Sequence, residues 1–307
     1  MKNTIIVLTL LVLIAGGAYF YMQSQKTDAP VVTTNTITPP PPPPVTVIEN
    51  TPTTTIDEVN EKETVIGTSV EEKDITAYHY GTGDTELLFV GGIHGGYEWN
   101  TVLVAYELMD YLEKNPQAIP ENVRVTVIPV LNPDGLMKVA GTAGKFAPSD
   151  ISKSQDVVVS GRFNANKVDL NRNFDCDWKT TGTWQTQTVS GGKAVFSEPE
   201  SQAFRDYVAD NRPDAVIAWY SSAGGVFTSS CHNDVSPETL ALTNTYATAS
   251  GYKAYADFDF YEITGDMVNW LAKNDIPAIS VLLTNHTDTE WTKNVKGIEA
   301  VFKKYAQ

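Results

Sequence analysis

The run Asp169-Leu170-Asn171-Arg172-Asn173-Phe174 places a carboxylate, an amide and a guanidinium within six residues. An Asn-Arg pair is a planar fork of several donors, suited to holding a carboxylate bidentately. An ordinary loop satisfying its own backbone is the competing reading. Other segments carry similar chemistry. Ile93-His94-Gly95-Gly96-Tyr97-Glu98-Trp99 follows the apolar stretch Leu87 to Val90, so a strand runs into a glycine turn with His and Glu where a helix begins. Leu131-Asn132-Pro133-Asp134-Gly135 ends a second strand in the same way, and Phe196-Ser197-Glu198-Pro199-Glu200 opens another helix.

In this order, over about residues 65 to 305, the segments resemble the zinc carboxypeptidase family. The resemblance implies that His94 and Glu98 bind Zn2+, that Asn171 and Arg172 grip the substrate's terminal carboxylate, and that the Asn132 segment shapes the site. It makes Asp169 the group that orients His94, as metal-bound histidines usually require; a loop-capping Asp is the alternative. Arg162 resembles the arginine that polarises the scissile carbonyl, or is a solvated Arg. Tyr261 matches the mobile tyrosine that closes over the substrate terminus, or is a surface aromatic before a helix. Val268 falls at the base of the specificity pocket and weakly favours apolar or neutral C-terminal side chains, although core packing explains it equally well.

Three positions depart from the family pattern. Its third zinc ligand is a His ending a strand just before a Ser; in Ala215-Val216-Ile217-Ala218-Trp219-Tyr220-Ser221-Ser222 that place is held by Tyr220. Its general base is a Glu on the last strand; in Ile276-Pro277-Ala278-Ile279-Ser280-Val281-Leu282-Leu283 the position is Leu282. Three residues, rather than two, separate His94 from Glu98. That last change is mild, because a turn accommodates the extra residue. A phenolate is a poor zinc ligand, and a catalytic zinc normally has three protein ligands plus water. Leu282 moves no proton, and loss of a positioned base costs about 10² to 10⁴ in rate.

Candidates to compensate are His232, on the loop beyond Cys231, and His286, after the strand carrying Leu282. A surface histidine is the simpler reading of the first. Glu262, Asp266 and Glu290 lie near the C-terminal part of the site, where caps or solvated charges explain them.

A net charge of −15 over 307 residues argues against nucleic acid and anionic membrane surfaces as partners. Ile5 to Met22 is an apolar run just long enough to span a bilayer, with no clean Ala-x-Ala-like site after it. An uncleaved signal-anchor is favoured over a cleaved signal peptide in residues 1–26. Residues 27–62 are Thr- and Pro-rich, with Pro39 to Pro44 uninterrupted, and read as a stiff stalk before a domain at 63–307. The expected location is extracytoplasmic, either membrane-anchored through residues 5–22 or secreted. In an exported protein, the two cysteines, Cys176 and Cys231, suggest a disulfide; two independent thiols are the alternative.

Nearly continuous apolar strands (75–80, 86–91, 123–131, 215–220, 278–284) alternate with amphipathic helices (99–113, 198–210, 237–250, 266–273, 288–305). That pattern implies an α/β fold, with a mostly parallel or mixed twisted sheet and helices on both faces. Ligands of such sheets bind beyond the strand carboxyl ends, where His94, Asn132, Tyr220 and the residues after Leu282 fall. The stretch 132–175 reads as a long substrate-binding loop. The expected function is recognition of the C-terminal carboxylate of peptides, with weak or lost hydrolysis. The alternative is an active metallocarboxypeptidase acting on peptides or cell-wall stem peptides.

Overall fold

The computed structural model describes residues 62–306. The expected anchor (1–26) and all but the last residue of the expected stalk (27–62) lie outside the described residues. Ten strands run in chain order as β1 (Glu63–Thr68), β2 (Asp74–Tyr80), β3 (Thr85–Val90), β4 (Val123–Ile128), β5 (Thr181–Trp184), β6 (Gln187–Ser190), β7 (Ala215–Ser221), β8 (Gly225–Thr228), β9 (Lys253–Tyr255) and β10 (Ala278–Leu283). The α-helices are α1 (Trp99–Lys114), α2 (Pro133–Ala140), α3 (Gln155–Ser160), α4 (Pro199–Asn211), α5 (Pro237–Ser250), α6 (Met267–Lys273) and α7 (Trp291–Tyr305).

Eight strands form one sheet in the order β1-β2-β4-β3-β7-β10-β8-β9, while β5 and β6 pair as a separate hairpin. The central strands β4, β3, β7 and β10 are mutually parallel; β2 and β8 flank them antiparallel, with β1 antiparallel to β2 and β9 parallel to β8 at the two edges. The sheet is therefore mixed. Every residue of β7 and β10 is buried, because helices cover both faces. Alternation along β3 divides the core. Leu87 and Phe89 join Trp219 and Ile279 beneath α1, α5 and α7, while Leu88 and Val90 join Ala218, Tyr220 and Leu282 beneath α4 and α6.

Local sequence sets the helix ends. Ser236 accepts a hydrogen bond from the Thr239 amide, Pro237 opens α5, and Gly251 ends it in the left-handed conformation. Asn132 caps α2 through the Gly135 amide, again with Pro at the first helical position. The segment 132–175, read from sequence as a loop, thus contains two short helices, α2 and α3. Gly and Ser within it hid a helical signal too short to show a period. Cys176 and Cys231 form a disulfide with Cα atoms 6.0 Å apart, joining the segment after Arg172 to the one after β8. Among the described residues, no helix is long and apolar enough to cross a membrane.

Candidate active site

Because β3, β4, β7 and β10 run the same way, the residues after each emerge along one edge of the sheet. There a cavity of ≈ 520 Å³ is lined by residues that include His94, Glu98, Arg162, Asn171, Arg172, Tyr220, Tyr261, Val268, Leu282 and His286. All the expected metal-binding, catalytic and substrate-binding positions therefore meet around one space, and Asp169 supports it from beneath.

His94 lies in the turn after β3, and Glu98 is the residue immediately before α1. Gly95 makes that turn, at a φ of 43° and so near the Gly161 carbonyl that a Cβ would sit 2.7 Å from it. The extra residue between His94 and Glu98 is absorbed here, leaving His94 Nδ1 3.0 Å from Glu98 Oε1. His94 Nε2 lies 3.3 Å from Asp169 Oδ1. Neither ring nitrogen makes a directed hydrogen bond, and Glu98 Oε2 is also buried without a partner.

Asp169 is wholly buried and accepts from both Arg162 Nε, at 2.9 Å, and Nη2, at 2.8 Å. Burial alone would raise its pKa, but Arg162 and His94 outweigh that and hold it far below the usual carboxylate range. Arg162 is clasped in turn, with its guanidinium 4.5 Å from the Trp184 ring centre and 5.8 Å from that of Tyr97. Asp169→Asn leaves this buried cation only the more distant Glu98 carboxylate, 3.7 Å from Nη1, and is expected to destabilise the domain by about 3 kcal/mol, read from denaturant unfolding at pH 7. The sign follows from the depressed pKa: the carboxylate's contribution is full above its unfolded value and is lost as pH falls toward the folded one. Wild type and variant should converge in strong acid.

Asn171 and Arg172 lie in a tight turn capped by Asp169, whose Oδ1 accepts from the Asn171 amide. Arg172 donates Nε and Nη2 to the Thr183 carbonyl and Nη1 to the Asn171 carbonyl. A guanidinium carries five N–H donors, so one remains on each terminal nitrogen. Gly182 permits this pose, since a Cβ there would sit 2.7 Å from Arg172 Cδ. Asn171 is more committed to the fold. Its Oδ1 accepts from the Met267 amide and the Tyr220 hydroxyl, and its Nδ2 donates to Asp266 Oδ2. Asp266 is the cap of α6 through the Asn269 amide, and burial raises its pKa.

Tyr220 and Leu282 are direct neighbours across the parallel ladder of β7 and β10. The Tyr220 phenol is pushed well above its ordinary pKa by burial and by Asp266 and Glu98, so it stays protonated. Tyr261 is half-buried, its ring centre 6.0 Å from the Arg172 guanidinium. Val268 lines the cavity, as do Thr228, Asn269 and Ser280.

The compensating candidates separate cleanly. His232 is on the surface, paired with Asp177 at 2.9 Å, and does not line the cavity. Glu262 pairs with Lys179 in solvent. Glu290 accepts from the Thr284 amide and the Tyr252 hydroxyl, tying down the loop after β10. Of the two histidines only His286 reaches the cavity, with its ring 4.7 Å from that of Tyr97, and Asp266 lines the cavity while capping α6. Sequence reading did not single out Tyr97, Trp184 or Ser221 as functional. Trp184 sits in a polar stretch with no apolar period, and its value comes from contact with the distant Arg162 and Tyr97.

The zinc carboxypeptidase family profile matches residues 57–290. This chain belongs to that family. Rat (Rattus norvegicus) carboxypeptidase Z is 29% identical over 180 residues, 54% of this chain and 26% of the relative, so the chain spans about a quarter of that protein's length. Bovine thrombin-activatable fibrinolysis inhibitor, solved with a tick carboxypeptidase inhibitor, superposes with a TM-score of 0.62 at 17% identity, covering 80% of this chain and 88% of that one. Murein-tripeptide amidase MpaA from Escherichia coli O157 gives 0.55 at 18% identity, covering 78% and 89%. These structural likenesses establish the fold.

The family name implies zinc, and the donor set answers that in part. The buried atoms of His94 and Glu98, which lie 3.0 Å apart without a directed hydrogen bond, suit a cation between them. The third place holds a neutral phenol, and among the described residues no group of three His, Cys, Asp or Glu is positioned to hold a metal. These residues do not complete the donor set of a catalytic zinc.

Proposed function

We propose that this domain holds the C-terminal carboxylate of peptides, with hydrolysis weak or lost. The observation that carries the reading is the contrast within one cavity: Arg172 keeps two N–H donors for a ligand, while Tyr220 and Leu282 replace the third metal donor and the proton acceptor. The bound carboxylate accepts from the two free N–H groups of Arg172, and Tyr261 covers it. Arg162 stands by the preceding carbonyl. Free peptide C-termini, including those of cell-wall stem peptides, are the proposed partners, and the Cys176–Cys231 disulfide supports an extracytoplasmic setting. Calorimetry with paired peptides tests the reading. A free carboxylate should bind, and the C-terminal amide of the same peptide should bind about 100-fold more weakly, the equivalent of some 3 kcal/mol. Equal binding of the two would refute it.

A second reading, an active metallocarboxypeptidase releasing C-terminal residues, is favoured by the retained His94–Glu98 pair, whose buried atoms include three without a directed hydrogen bond. Metal content separates the two. With two donors, zinc should be substoichiometric after dialysis against a mild chelator, and chelation should leave the melting temperature unchanged. Stoichiometric zinc that survives dialysis would favour the second reading.

A further inference from the structure

The hydrogen bonds around the loop after β10 give one ring nitrogen a role. Asn100, near the start of α1, donates Nδ2 to the carbonyls of Asn285, at 2.7 Å, and Asp288, at 3.0 Å. Two carbonyl acceptors fix the orientation of the amide, so its Oδ1 can only accept. Ser221, at the end of β7, donates its single hydroxyl hydrogen to that Oδ1 at 3.1 Å. Ser221 Oγ therefore has only a lone pair to offer His286 Nδ1, 2.9 Å away. In the neutral imidazole the hydrogen must then sit on Nδ1, which leaves the lone pair on Nε2. Nε2 is on the exposed side of the ring, with Ser222 Oγ at 3.5 Å, too far for a good O–H hydrogen bond. Tyr97 packs against the ring, and the charged or titratable groups facing it are Glu98, Arg162 and His94. Burial lowers the imidazole pKa; Glu98 opposes this, and Arg162 and His94 reinforce it, so the base form prevails at neutral pH.

We propose that His286 Nε2 is the proton acceptor of this site, oriented through Ser221 by Asn100, and that it stands in for the carboxylate missing at Leu282. The arrangement is that of an activating base held in one tautomer by a third group. The inference rests on the reading of the cavity as a peptide C-terminus site. In the reaction, water loses a proton to Nε2 as its oxygen bonds to the carbonyl carbon of the last peptide bond, whose oxygen faces Arg162. The proton then passes from Nε2 to the departing nitrogen as the C–N bond breaks. The products are a shortened peptide carboxylate and a free amino acid. The defect that limits turnover is then the metal donor set at Tyr220, not the absent base.

Two measurements on the full-length chain test this. The chain has only four histidines, so nitrogen-15 imidazole spectra are assignable with His286→Gln. Near pH 7, His286 should show a protonated Nδ1 and a bare Nε2, and Ser221→Ala should remove that preference. A protonated Nε2 in the parent chain would overturn the proposal. Second, Tyr220→His supplied with zinc should hydrolyse peptides without any change at Leu282. In that background His286→Gln should cut kcat about 100-fold or more, the loss exceeding any change in KM. Added imidazole should recover part of the loss in His286→Ala, which a purely structural role would not allow. Turnover that appears only when Leu282→Glu is added, or that survives His286→Gln, would overturn the proposal while leaving peptide binding intact. Absence of peptide binding in every form would instead defeat the reading of the cavity itself.

Discussion

Tyr220→His combined with Leu282→Glu is expected to give a zinc-dependent carboxypeptidase with turnover about 10²-fold or more above the parent chain. The histidine completes a three-donor set with His94 and Glu98, and the glutamate adds a carboxylate beside it, because residues 220 and 282 are partners across β7 and β10. Metal and base act on the same water, so Leu282→Glu alone should do little without the third metal donor, while Tyr220→His alone, with His286 as the base, should supply most of the gain. The cost is local. Leu282 is 8% exposed in the apolar cluster beneath α4 and α6, and an unpaired carboxylate there is destabilising. Folding of the double variant is therefore checked first by thermal unfolding. Zinc content and release of C-terminal amino acids are then measured. A folded double variant that binds stoichiometric zinc yet hydrolyses nothing would show that the lesions lie elsewhere in the cavity.

Arg172→Ala should abolish the preference for a free C-terminus, with affinity falling about 100-fold or more as two charge-assisted hydrogen bonds are lost. Arg172→Lys should recover only part, since an ammonium keeps the charge but not the fork. Because Arg172 also satisfies the Thr183 and Asn171 carbonyls, the variant is compared with Asn171→Ala, which disturbs the start of α6 but retains the guanidinium. Calorimetry on all three against free and amidated peptides decides. Unchanged affinity in Arg172→Ala would move the carboxylate to Arg162.

The centre of the sheet was legible in the sequence because β3, β4, β7 and β10 are nearly continuous apolar runs, broken only by residues such as Arg124, Thr126 and Ser280, and Ser236-Pro237 and Asp266 mark helix starts by local chemistry alone. The strands β1, β5, β6, β8 and β9 were not legible. Gly225–Thr228 follows a Ser-Ser-Ala-Gly stretch and itself opens on glycine, and Lys253–Tyr255 is too brief to alternate. The substitutions at Tyr220 and Leu282 could be read from position, since each ends a strand at a known place in the pattern. Their adjacency could not, because register between strands separated by a helix is a tertiary property. The same limit hid the Trp184–Arg162–Tyr97 stack and the Asn100–Ser221–His286 chain, whose members come from distant segments and meet only across the cavity.

The order of the central strands also governs when this cavity can exist. Val90 pairs with Ala218, and Tyr220 pairs with Leu282, so each wall is built from segments far apart in the chain. Parallel pairings of that span close slowly, because long loops must be ordered before any contact rewards them. A chain synthesised only as far as α6 has β3, β4 and β7 but lacks β10, the strand that joins β7 to β8. Until β10 emerges, buried-type strand edges stay open to mispairing. The site is thus a late product of folding, and its binding competence reports that the whole domain has closed.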